Sequence, residues 1–197
     1  MPLKSNVEVR DRQSIYQSSD GVRCTPTAPY RIGLWGNAMA SNLVNMDALI
    51  KREDYEFATK HDGEVGEFTR IFASDLVRGH STFSLLRKPE FQRETAIWSP
   101  EQVAELINAF VMGDLVPAVI LWRSPTNKNF IVDGAHRVSS LIAWVNNDYG
   151  TGEISKEFFD GAVSDWEKAA LKTKELVENS FGPYKRIVDS QIGRAHV

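Results

Sequence analysis

Apolar residues fall at helical spacing most clearly at Val103, Leu106, Ile107 and Phe110, which make one stripe of an amphipathic helix. The residues ahead of the stripe, Ser99-Pro100-Glu101-Gln102, mark its start. Ser99 can cap, Pro100 fits the first helical position, and Gln102 can complete a reciprocal cap. Gly113 is suited to end the helix, and the expected partner for its stripe is a sheet. Val116 to Trp122 then reads as an apolar, β-branched strand, Ser124 to Asn127 as a turn, and Asn129 to Asp133 as a second strand, so a hairpin leads into Asp133-Gly134. There the period changes again. Val138, Leu141, Ile142 and Val145 predict a helix that ends in the Asn146 to Gly150 loop, and Trp166, Ala169, Ala170, Thr173 and Val177 predict a last one over about 165–179.

The upstream pattern is weaker. Residues 1 to about 45 carry no sustained periodicity. From Met46 the apolar spacing of Leu49, Ile50, Tyr55 and Phe57, with Asp47 early, predicts a short helix ending near His61-Asp62-Gly63. Ile71-Phe72 and Leu76-Val77 suggest a helical turn, and Ser81 to Leu85 alternates as a strand would. The expected organisation is a variable N-terminal arm with a short helix at 1–70, an α/β core at 71–150 and a helical extension at 151–189. The tail at 190–197 continues no earlier pattern, and no role falls to His196.

Composition narrows the function classes. The 197 residues are 42% hydrophobic, enough for one real core, and a net charge of −3 gives no global attraction to nucleic acid or acidic lipid. Arg87, Lys88 and Arg93 form a small basic cluster that reads as solvated surface. Cys24 is the sole cysteine, so no internal disulfide forms, and no Cys/His spacing suggests zinc. The charged N-terminus lacks a signal-peptide pattern and no segment reaches spanning length, so a cytoplasmic protein is expected.

The candidate chemistry sits where the second strand meets its helix, in Asp133-Gly134-Ala135-His136-Arg137. A helix start offers unpaired N–H groups and the positive dipole end, which suit phosphate oxygens. Gly134 lets a ligand approach the amides of Ala135 and His136, while Arg137 supplies a planar cationic fork. His136 can transfer protons, and Asp133 can orient water or hold a divalent ion. Taken singly, each residue has a plainer role: Asp133 as a cap, Gly134 in the turn, Arg137 in a surface ion pair.

The order Gln92-Arg93, then Trp98, then a capped helix, a hairpin and Ile131-Val132-Asp133-Gly134-Ala135-His136-Arg137 resembles the ParB/sulfiredoxin-like superfamily, most closely its GmrSD-type branch. That branch carries Gln-Arg…Trp and an Asp-Gly-Gln-Gln-Arg turn. Ala135 and His136 replace its two glutamines, while His136-Arg137 is similar to the sulfiredoxin turn without that turn's reactive cysteine. The resemblance covers roughly 81–144. It implies a compact α/β domain that binds, and in some members hydrolyses, a nucleoside triphosphate in DNA restriction or segregation systems. On that basis Arg93, Gly134, Ala135 and Arg137 are the expected phosphate contacts and Asp133 and His136 the expected catalytic pair. Slow NTPase activity is the favoured reading. A magnesium ion usually accompanies a triphosphate, and DNA would be met through a partner protein or a fused downstream domain. The rival readings are a nucleotide-gated binding module without turnover and a ParB-like DNA nuclease.

Overall fold

The computed structural model describes residues 42–54, 71–92 and 94–188. The chain divides into two units, Met1–Asn37 and Ala38–Val197. All described residues belong to the second. In chain order its strands and α-helices are β1 (Arg52–Glu53), α1 (Ser81–Leu85), β2 (Leu86–Pro89), α2 (Pro100–Met112), β3 (Ile120–Arg123), β4 (Asn129–Asp133), α3 (Ala135–Asn146), α4 (Glu153–Phe158) and α5 (Glu167–Ser180). Short 3-10 turns lie at Asp47–Leu49, Ala73–Leu76 and Ser164–Trp166.

The four strands form one mixed sheet in the order β1-β2-β4-β3, an α/β fold as expected. β1 and β2 pair in parallel, as do β2 and β4, because α2 and the hairpin's first strand lie between the latter two in sequence. β3 pairs antiparallel to β4 across the Ser124 to Asn127 turn, with an irregularity at Ile120/Leu121. The arrangement brings the end of β4 and the start of α3 beside the loop that follows β2.

Local signals explain the helices that flank the site. Ser99 Oγ accepts from the Gln102 N–H at 3.4 Å, and Gln102 Oε1 accepts from the Ser99 N–H at 2.9 Å. Gly113 closes α2 with φ +78°, the left-handed conformation suited to glycine. α3 ends at Asn147, φ +51°, and buries Val138 and Ile142, while Leu141 and Val145 are only partly covered. These residues join Leu86, Val103, Ile107, Ile131 and Val177 in one core, together with Val44, Met46 and Leu49.

The structure corrects several expectations. Ser81–Leu85 is helical because the His80 ring accepts from the Thr82 N–H and the His80 carbonyl accepts from both Ser84 N–H and Oγ, so the strand begins only at Leu86. The helix expected from Met46 stops after one 3-10 turn. Ile50 is extended and β1 follows, while residues 55–63 lie outside the described residues. The strand expected from Val116 starts at Ile120. α2 packs chiefly on α5 and α3 rather than on the sheet, since α5 presents a buried face of Ala169, Ala170, Thr173 and Val177. Lys88 is no surface cation: it is fully buried.

Candidate functional site

β4 ends at Asp133, and Gly134 turns the chain into α3 with φ +92° and ψ 20°. That φ favours glycine, and a Cβ added there would stand 3.0 Å from both Arg137 Nη2 and Val119 Cγ2, so those side chains would have to give way. No side chain among the described residues caps α3. Its first backbone bond runs from the Val138 N–H to the Gly134 carbonyl, so the N–H groups of Ala135, His136 and Arg137 precede the helical ladder. The Ala135 side chain packs in the core, which leaves its amide as its contribution to the turn.

Arg137 folds back over this turn. Its Nη2 donates to Asp133 Oδ2 at 2.6 Å and to the Ala118 carbonyl at 3.0 Å. The arginine side chain is 19% exposed and that of Asp133 61%, so a largely covered cation is paired with a solvated acid. Asp133 therefore takes the ion-pair role open to Arg137's neighbours and does not cap the helix.

His136 faces the other way. Its ring stacks on Trp98 with centroids 5.3 Å apart and planes at 25°. Burial pulls its pKa below the ordinary imidazole value, the nearby Lys88 ammonium adds to the shift, and Asp47 opposes it, so the ring is neutral at pH 7. His136 Nε2 is buried and has no hydrogen-bond partner among the described residues. The same is true of Gln92 Oε1, whose Nε2 donates to the carbonyls of Ile131 at 3.1 Å and Val132 at 3.2 Å. Gln92 and Trp98 thus both meet the strand-helix junction, from 40 or so residues upstream in sequence. Arg93 lies outside the described residues.

Behind this loop is an ionic network that sequence patterning did not reveal. Lys88 Nζ donates to Asp47 Oδ1 at 2.7 Å, to the Asp47 carbonyl at 3.0 Å and to Thr95 Oγ1 at 3.1 Å. Asp47 also accepts from Arg52 Nη2 at 2.9 Å and from the Thr95 N–H at 3.1 Å. Burial alone would raise the Asp47 pKa, but Lys88, Arg52 and Thr95 together hold it below the ordinary carboxylate value. Arg52 Nη1 reaches the Gln92 carbonyl at 2.6 Å, which ties the Gln92 loop to the network. Among the described residues no three His, Cys, Asp or Glu side chains gather as metal ligands would.

A family model described as GmrSD restriction endonuclease, N-terminal domain, matches residues 73–192, well over half of the chain. The chain belongs to this family. The GmrSD N-terminal match takes in Gln92, Trp98 and the whole Asp133 to Arg137 turn, and it leaves Asp47 and Arg52 outside. GmrSD membership makes this domain a component of a DNA-related restriction or defence system. No curated protein and no solved structure matches the chain. No described helix is long and apolar enough to cross a membrane.

Proposed function

We propose that this GmrSD N-terminal domain binds a nucleoside triphosphate, with its phosphates on the turn from Asp133 to Arg137. One observation carries the reading: a helix start that no described side chain caps has Arg137 folded over Gly134, and His136 Nε2 at the same turn is buried without a partner among the described residues. Buried polar groups are rarely left unpaired, and free helix amides beside a guanidinium suit an anion with hydrogen-bonding oxygens, while Gln92 Oε1, which can only accept, is left for a water or a ligand hydroxyl. Incoming phosphate would replace Asp133 as the counter-ion of Arg137, and the amides of Ala135 and His136 would receive the remaining oxygens. Arg93 is a further phosphate contact on the strength of the motif.

Slow hydrolysis is the activity proposed for the site. A neutral His136 is in the state needed to accept a proton from water, and Asp133, once freed from Arg137, could orient that water. Magnesium would come bound to the triphosphate's own oxygens, because the described carboxylates do not form a resident metal centre. The pairing of Asp133 with Arg137, rather than with His136, favours a second reading: nucleotide binding without turnover, as a gate for a DNA-bound or protein partner.

Calorimetric titration of the full chain with ATP, GTP, CTP and UTP tests the site. Arg137→Ala should weaken binding tenfold or more, since a charge-assisted contact contributes about 1.5–3 kcal/mol. Equal affinity in the two proteins would remove the phosphate assignment. Phosphate release that disappears in His136→Ala supports hydrolysis, and tight binding with no release in the wild type supports the gate.

A further inference from the structure

The phosphate reading leaves open where the rest of the ligand lies. Residues on opposite sides of α3 answer differently. On the His136 side, Trp98 stacks against the imidazole and the Gln92 side chain is bonded to the backbone of β4, which leaves polar edges there but no apolar hollow among the cavities described below. On the side of Arg137, Val138 and Leu141, which lie at helical offsets of one and four, the structure is hollow. A cavity of about 340 Å³ opens there, between α3, the α2 residues Leu106 and Phe110, and the chain entering β3. Its walls are otherwise apolar, and Arg137 is the one charged residue on them among the described residues. Arg137 Nε, buried and without a partner among those residues, belongs to the same guanidinium.

We infer that this cavity receives the nucleoside end of the bound triphosphate, with Arg137 standing at the boundary between sugar-base and phosphate. The inference rests on the phosphate reading of the turn. The volume is within the range of small-ligand pockets, and such pockets are typically apolar with a few placed polar groups. A larger cavity of about 640 Å³ lies between α1 and α4 and shares no lining residue with the turn, so it does not compete for this role. Apolar walls grip a ring by contact and offer few hydrogen bonds to its edge. The site therefore accepts several bases with modest preference, because strong discrimination needs polar groups that a wrong base would leave unpaired.

Inorganic tripolyphosphate separates the two halves of the site. Full-chain wild type should bind each of ATP, GTP, CTP and UTP at least tenfold tighter than tripolyphosphate, with the four nucleotides within about tenfold of one another. Two variants fill the cavity from different elements, Leu106→Trp on α2 and Ala73→Phe on the 3-10 turn opposite. Each should bring nucleotide affinity down toward that of tripolyphosphate while tripolyphosphate binding stays unchanged, and that retained binding shows the variant to be folded. A nucleotide advantage that persists in both filled variants, or a preference for one base by several thousandfold, would overturn the inference and leave the phosphate site standing. If neither tripolyphosphate nor any nucleotide binds the wild type, the reading of the turn itself falls, and the cavity assignment with it.

Discussion

Gly134 carries two burdens at one atom. Its φ of +92° is unfavourable for any L side chain, and the missing Cβ makes room for Arg137. Gly134→Ala should cost at least about 1–2 kcal/mol in urea unfolding, the ordinary penalty of a left-handed conformation, and should displace the guanidinium from the turn. His136 offers a titration test. Because its folded pKa is lowered, first by burial and then by Lys88, the unfolded chain takes up a proton more readily. Its neutral state imposes no cost above about pH 6.5, and stability declines as pH falls from there through the folded value. An NMR titration should place the His136 midpoint below that of a free imidazole. Trp98→Ala, which uncovers the stacked ring, should move it upward; an unchanged midpoint would remove burial by Trp98 as the cause.

Among the elements, those with signals confined to a few neighbouring residues were readable. The Ser99 to Gln102 cap announced α2, and the cap forms as expected. Ser99→Ala should lower stability by about 1 kcal/mol in the same unfolding assay. The hairpin and the Asp133-Gly134 turn were equally plain, since a change of hydrophobic period and a glycine fall at one place. Ser81 to Leu85 misled because five residues of alternating polarity fit one helical turn as well as a strand, and the deciding contact comes from the ring of His80. β1 could not be read at all. Two residues make no pattern, and their partner is some 35 positions away.

For the molecule as a whole, the Asp47, Lys88, Arg52 and Thr95 network joins β1, β2 and the loop bearing Gln92. Its partners do not depend on one another equally. Without Lys88, Asp47 keeps Arg52 and the Thr95 N–H, whereas without Asp47 the fully buried Lys88 loses its bonded carboxylate. Asp47→Ala should thus cost about 3–5 kcal/mol, the range for a broken buried pair, and more than Lys88→Met. The Asp47 pKa is lowered in the fold, so its contribution is present above about pH 3.9 and is lost as pH falls through the folded value. Acid unfolding of wild type should therefore include a proton uptake that Asp47→Asn lacks. The candidate site was half legible for a similar reason: Gln92, Trp98 and Asp133 to Arg137 share a motif, but Asp47 and Arg52 act on it from a distance that no local pattern spans.

That distance has a practical consequence for anyone cutting the chain at the family boundary. A fragment starting at residue 73 retains every motif residue, yet it discards the backbone bond from the Met46 N–H to the Thr95 carbonyl, the bridge between Val44 and Trp98, and the acid that neutralises Lys88. It would be born with an ammonium ion stranded in its interior and one margin of its sheet stripped bare. Such a truncation should express poorly beside one that begins upstream of Val44, even though the two carry the same signature.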